Sequence, residues 1–187
     1  MVCLNKKETV APNSTLDPFS GMLAATGSTT GGQKAPVEVL YSQGYKLVLQ
    51  GNKMMMIVSI NYSGTAATPE VIAKFNAGIE KWWSGDFGKY TVKTWVSVND
   101  NGLNVFVLPT TYRDSPTEWG ANKGGWEAAH EIGHRLGLPD RYDIYTPPYA
   151  PFQDYRDNIM GAPNKPPSEQ DITDIIQRAR YFDGKNK

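Results

Sequence analysis

The sequence predicts a mixed domain of the α/β or α+β class, with its chemistry in the second half. Three observations lead there. Short β-prone runs fall between residues 36 and 109. One amphipathic helical stretch interrupts them at 68–83, and two more follow them. The chain of 187 residues is long enough to bury one sizeable core, and it contains no run of eighteen apolar residues that would span a membrane.

Residues 1–35 are expected to form a linker or a loosely docked leader. "APNSTLDPFSGMLAATGSTTGGQKAP" is rich in Gly, Ser, Thr and Pro and shows little periodicity. The N-terminal "MVCLNKKETVAPNS" lacks the apolar core of a secretory signal. That leaves a cytosolic protein, a mature form and export by another route all open. Cys3 is the only cysteine, so no internal disulfide forms and no cysteine-based zinc site exists. It reads as an incidental thiol, with a metal-blocking latency ligand as the lesser reading.

Residues 36–187 carry the folded domain. "VEVLYSQGYKLVLQ" holds two β-prone runs around "SQG", a hairpin pattern. "MMMIVSINY" fits a buried strand. In "TPEVIAKFNAGIEKWW", Thr68 caps a helix, Pro69 suits its first position and Glu70 favours its dipole. Val71, Ile72, Phe75, Ile79, Trp82 and Trp83 recur at helical spacing and read as core. "YTVKTWVSV" and "LNVFVLP" are strands, with "NDNG" a turn signal between them. A helix is expected from about Gly125 to Leu136, striped by Trp126, Ala129, Gly133 and Leu136. Residues 138–167 read as irregular, and Ser168 caps a last helix with Ile172, Ile175, Ile176 and Ala179 inward.

Lys+Arg and Asp+Glu are each 19, so nothing favours nucleic-acid binding or a polybasic membrane patch. The chain has two histidines, and both lie in "HEIGHRLGLPD", residues 130–140. His130 and His134 are four residues apart, so on a helix they project from one face and reach one cation. Glu131 is rotated by about 100° and can take a proton from water beside the metal. Two imidazoles hold a catalytic zinc poorly, and no third histidine exists. Gly137 is a natural helix end, Pro139 stiffens the reversal, and Asp140 is placed to return to the metal. Glu127 sits on a neighbouring face and reads as structural or salt-bridging.

"HEIGHRLGLPD" resembles the H-E-x-x-H-x-x-G-x-x-H/D signature of the metzincin zinc peptidases. Its Asp form is similar to snapalysin-type bacterial proteases, and "HEIGHRLGLPDRYD" resembles the zinc segment of immune-inhibitor-A-type secreted peptidases. "DNIMGAP" matches the family's methionine turn, with Met160 as its methionine. The close match covers about residues 126–163. The resemblance implies an α+β, metzincin-like zinc protease fold: a twisted mixed sheet, an active-site helix, a Met-turn and a C-terminal helix. It also implies that zinc, held by His130, His134 and Asp140, activates a water for peptide hydrolysis with Glu131 as general base. "LNVFVLP" would be the edge strand that pairs with substrate. Some metzincins place a tyrosine two residues after the turn methionine. Here Ala162 stands there, so Tyr142, Tyr145 or Tyr155 is left to stabilise the transition state, with loop packing as the alternative for each.

The expected function is therefore a zinc endopeptidase acting on protein or peptide, with action outside the producing cell. The Gly/Ser/Thr leader also looks like that of a delivered bacterial toxin, which would be held inert by an inhibitor, an immunity protein or latency. The competing readings are a non-catalytic, zinc-stabilised binding module and a zinc amidohydrolase for non-peptide amides.

Overall fold

The computed structural model describes residues 35–111, 114–143, 145 and 150–185. The leader assigned to 1–35, Cys3 included, lies outside these apart from Ala35. The described chain is an α+β domain: three helices and one mixed sheet of seven strands.

The sheet is organised around its most apolar strand. β1 (Val37–Ser42) and β2 (Tyr45–Gln50) form the expected hairpin, closed over Gln43 and Gly44. β3 (Lys53–Ser63) then pairs antiparallel with β2. Met54, Met56, Val58 and Ile60 alternate along β3 and are buried, as a strand in mid-sheet requires. The next long strand lies parallel to β3, so the chain must cross over between them, and a helix makes the crossing. This is α1 (Pro69–Trp82). It begins where the sequence says: Thr68 Oγ1 accepts the Val71 N–H at 3.4 Å, and Pro69 takes the first turn. Phe75 and Ile79 on its inner face, and Trp83 just past its end, are fully buried, so these aromatics are core.

β4 (Gly85–Phe87) and β5 (Tyr90–Val98) form a short antiparallel pair, and β5 docks parallel on β3. "NDNG" does turn, through a bond from the Gly102 N–H to the Asn99 carbonyl. The turn makes no hairpin, however. β6 (Leu103–Leu108) runs the same way as β5, and Ile60 pairs with both Val98 and Leu103. The chain sidesteps across the end of β3 instead of reversing. A last strand, β7 (Glu118–Gly120), pairs parallel with β6 over Phe106–Leu108. The substrate-pairing edge expected of β6 is therefore taken by β7 along this stretch. β7 also delivers Trp119, which is buried edge-on against Phe75 at 5.3 Å.

α2 (Gly125–Leu136) packs against α1 in close contact at Gly78 and Gly125. A Cβ on Gly78 would collide with the backbone of Gly125, so two glycines let the helix axes come together. The Trp83 indole N–H donates to the Ala129 carbonyl at 2.9 Å, which fixes the rotation of α2. α3 (Glu169–Lys185) closes the domain. Its cap is reciprocal: the Ser168 N–H donates to Asp171 Oδ2, and the Asp171 N–H donates to Ser168 Oγ. Ile172, Ile175, Ile176 and Ala179 are its buried stripe.

Gly78→Ala tests the helix crossing. Alanine favours an isolated helix by about 1 kcal/mol, but here its methyl meets backbone that cannot rotate away. The expected outcome is a net loss of about 1–3 kcal/mol in denaturant-unfolding stability.

Candidate metal centre

α2 positions the site through both of its ends. At its start, Glu127 Oε2 accepts the Gly124 N–H at 3.1 Å, the structural role expected of Glu127. At its end, Gly137 adopts φ 101°, a left-handed conformation that L side chains rarely take. The Gly137 N–H then reaches the His134 carbonyl, and the Leu138 N–H reaches the Gly133 carbonyl at 3.0 Å. This is a Schellman-type reversal. It carries Asp140 back toward the helix, as expected, and turns the Leu138 carbonyl onto His134 Nδ1 at 2.9 Å.

His130 has the same support from another segment: its Nδ1 lies 2.9 Å from the Ile159 carbonyl. A carbonyl oxygen can only accept, so in both rings Nδ1 carries the hydrogen and the neutral ring presents a lone pair at Nε2. Both Nε2 atoms point to one place: each is 3.3 Å from Asp140 Oδ1. Ligand atoms about 2.1 Å from a tetrahedral cation lie about 3.4 Å apart. His130, His134 and Asp140 thus form a group that could hold a metal ion, their ligand atoms all within 4.8 Å of one another.

The segment 158–162 lies behind this group. Met160 is fully buried, and a Cβ on Gly133, one turn below His130, would meet its sulfur. Asn158 shapes the turn. Its Oδ1 accepts the Met160 N–H at 2.8 Å, and its Nδ2 donates to Ser168 Oγ and Asp171 Oδ2 at the start of α3. Asn158, Ile159 and Leu138 escaped the sequence reading. The last two act through backbone carbonyls, which carry no side-chain signature. Asn158 stands two residues before Met160, and its side-chain bond to the Met160 N–H is a local pattern that the letters permit without announcing.

A cleft of about 780 Å³ opens over the group. Trp126, Glu131 and Tyr142 line it, with Asp114–Pro116 and Gly161–Pro163. Asp114 is a further residue that sequence reasoning missed. Its Oδ1 accepts the Thr111 hydroxyl and the Gly120 N–H, which ties the loop at the cleft to β7. Of the three tyrosines proposed to assist, Tyr142 lines the cleft, its ring 6.4 Å from that of His130. Tyr155 stands away from the cleft, its hydroxyl accepting from Arg141 Nη1 at 3.0 Å. Tyr145 is 87% exposed and is not part of the cleft wall.

Charge in the site is divided unequally. Burial raises the Glu131 pKa, the two imidazoles pull it back only partly, and Asp114 and Asp140 push it further up. Glu131 Oε2 is buried and has no hydrogen-bond partner among the described residues. Burial works on Asp140 in the same direction, but the two histidines, when a proton sits on Nε2, outweigh it and hold the carboxyl well below the usual range. Burial alone would lower the His134 pKa; Asp140 and the Leu138 carbonyl reverse that and leave it raised.

Compared with known families, with curated proteins and with solved structures, the chain finds no match. The site is therefore read from its own residues.

Asn158→Ala removes the turn's internal brace without touching a ligand. Outer supports of this kind are worth about 10–100-fold in metal affinity. Competition with a chromophoric chelator should show a loss of that size. Unfolding stability should fall as well, by about 2–4 kcal/mol, because the buried Asp171 loses a donor.

Proposed function

We propose that this chain is a zinc-dependent endopeptidase of the metzincin kind. The observation that carries the reading is a pairing. Two imidazoles with fixed Nδ1–H converge with one aspartate, and next to them a buried carboxylate oxygen of Glu131 has no partner among the described residues. A structural zinc usually has four protein ligands, whereas catalytic zinc has three and an open position. Among the described residues three ligands converge, and they line an open cleft. The same donor set suits ferrous iron. The i, i+4 helical spacing with Glu131 after the first histidine favours zinc hydrolysis.

A bound zinc supplies Lewis acidity, which lowers the pKa of a water and polarises a carbonyl. The chain's own residues do the rest. Glu131 Oε2 accepts the proton of the attacking water and returns it to the departing amine nitrogen. A raised pKa suits that exchange, since the group must both take and release a proton near neutrality. Trp126 and Tyr142 flank the His130 ring at 5.3 and 6.4 Å and limit water around it. Tyr142 lines the cleft, which favours it over the other two tyrosines as the donor toward charge that develops on the carbonyl oxygen.

Metal analysis beside cleavage of a mixed peptide library tests the reading. The protein should carry about one zinc, as a catalytic site does. Glu131→Ala should keep the metal and lose about 10²–10⁴-fold in kcat. Zinc retained with no cleavage of any peptide would mark a binding module, and cleavage confined to non-peptide amides would mark an amidohydrolase. Tyr142→Phe should lower kcat by about 10–100-fold with little change in KM, since the donor acts on charge present only in the transition state.

A further inference from the structure

A second cavity of about 420 Å³ adjoins the cleft, and His134 and Pro116 belong to both walls. Its other lining includes Arg135 from the last turn of α2, Arg178 from α3, Ser42 at the end of β1 and Gln43 in the β1–β2 turn. Among the described residues no Asp or Glu lines it. Neither guanidinium has a carboxylate partner among the described residues. That contrasts with the neighbouring Arg141 and Arg180, which pair with Asp174 and Glu38.

Arg178 is also held in place. Its stem lies over Gly137, where a Cβ would overlap it. Its guanidinium stacks on the Phe182 ring at 5.3 Å from the centroid. The glycine that reverses the chain toward Asp140 therefore also seats an arginine beside His134. A guanidinium fork presents paired donors that match a carboxylate.

Resting on the peptidase reading, we propose that this cavity is a carboxylate-accepting subsite, with Arg135 and Arg178 selecting a peptide that carries a carboxylate within a residue or two of the cleaved bond. The carboxylate can belong to an acidic side chain or to the chain terminus, and the test separates these sources.

At each position around the cleaved bond four peptides are compared, with Glu or Gln there and with a free or an amidated C-terminus. Cleavage is followed with the zinc-loaded protein, and binding with Glu131→Gln, which needs no turnover. Glu is expected to exceed Gln in kcat/KM by about tenfold at one position, and Arg135→Gln and Arg178→Gln should each remove most of that preference. A preference that follows the free C-terminus instead identifies the terminal carboxylate as occupant, provided the same variants abolish it. Zinc content and thermal midpoint confirm that each variant is folded. Equal handling of all four peptides, with normal cleavage, overturns the subsite and leaves the peptidase reading intact. If no peptide is cleaved, the peptidase reading fails; binding to Glu131→Gln then decides, and equal affinity for the Glu and Gln peptides, with free and with amidated C-terminus, overturns the subsite as well.

Discussion

Two hydrogen bonds from imidazole to backbone carbonyl hold the site together, and most of the domain's local choices serve them. The His130 bond ties α2 to the turn at 158–162 through the Ile159 carbonyl. The His134 bond ties α2 to its own reversal through the Leu138 carbonyl. Each fixes one ring nitrogen as donor and so frees the other. Neither carbonyl would be in reach without the backbone around it. Ile159 is held because Asn158 braces the turn against α3. Leu138 is held because Gly137 takes a left-handed conformation. The rotation of α2, which aims both rings, is set by the Trp83 indole on the Ala129 carbonyl and by the glycine crossing with α1. A site that depends on backbone positions needs a rigid frame, and here Trp83, Ala129, Leu138, Asn158 and Ile159 are all buried.

The sequence was most legible where one residue type answers one physical need. Thr68 and Ser168 cap helices because hydroxyl oxygens satisfy early N–H groups, and both do so here. The i, i+4 histidines, Gly137 and Asp140 could be placed on one helix end because the reversal admits few other residues at its left-handed position. Legibility fell where several conformations fit one pattern. "NDNG" carries a turn whichever way the next strand runs; only the pairing of Ile60 with both Val98 and Leu103 shows that β5 and β6 are parallel. β4 and β7 have three residues each, too few for a period-two pattern to rise above chance. Tyr142, Tyr145 and Tyr155 look alike in sequence, and only the path of the chain puts the first of them in the cleft.

The two carboxylates next to the histidines show how one site gives identical chemistry two roles. Asp140 and Glu131 both lose hydration on folding, and burial pushes both pKa values upward. They part because of direct contact. Asp140 Oδ1 lies 3.3 Å from both imidazole Nε2 atoms, and a ring that carries a proton there outweighs its burial. Glu131 has only the longer-range attraction of the same rings, opposed by Asp114 and Asp140, and it stays raised. An anion held firmly by its neighbours is suited to ligate a cation and unsuited to carry protons. A carboxylate whose pKa lies nearer neutrality is suited to carry protons. The opposite directions of the two shifts fit the roles proposed for them, Asp140 as ligand and Glu131 as proton carrier. Exchanging the two roles would need the reversal at Gly137 to deliver its carboxylate elsewhere.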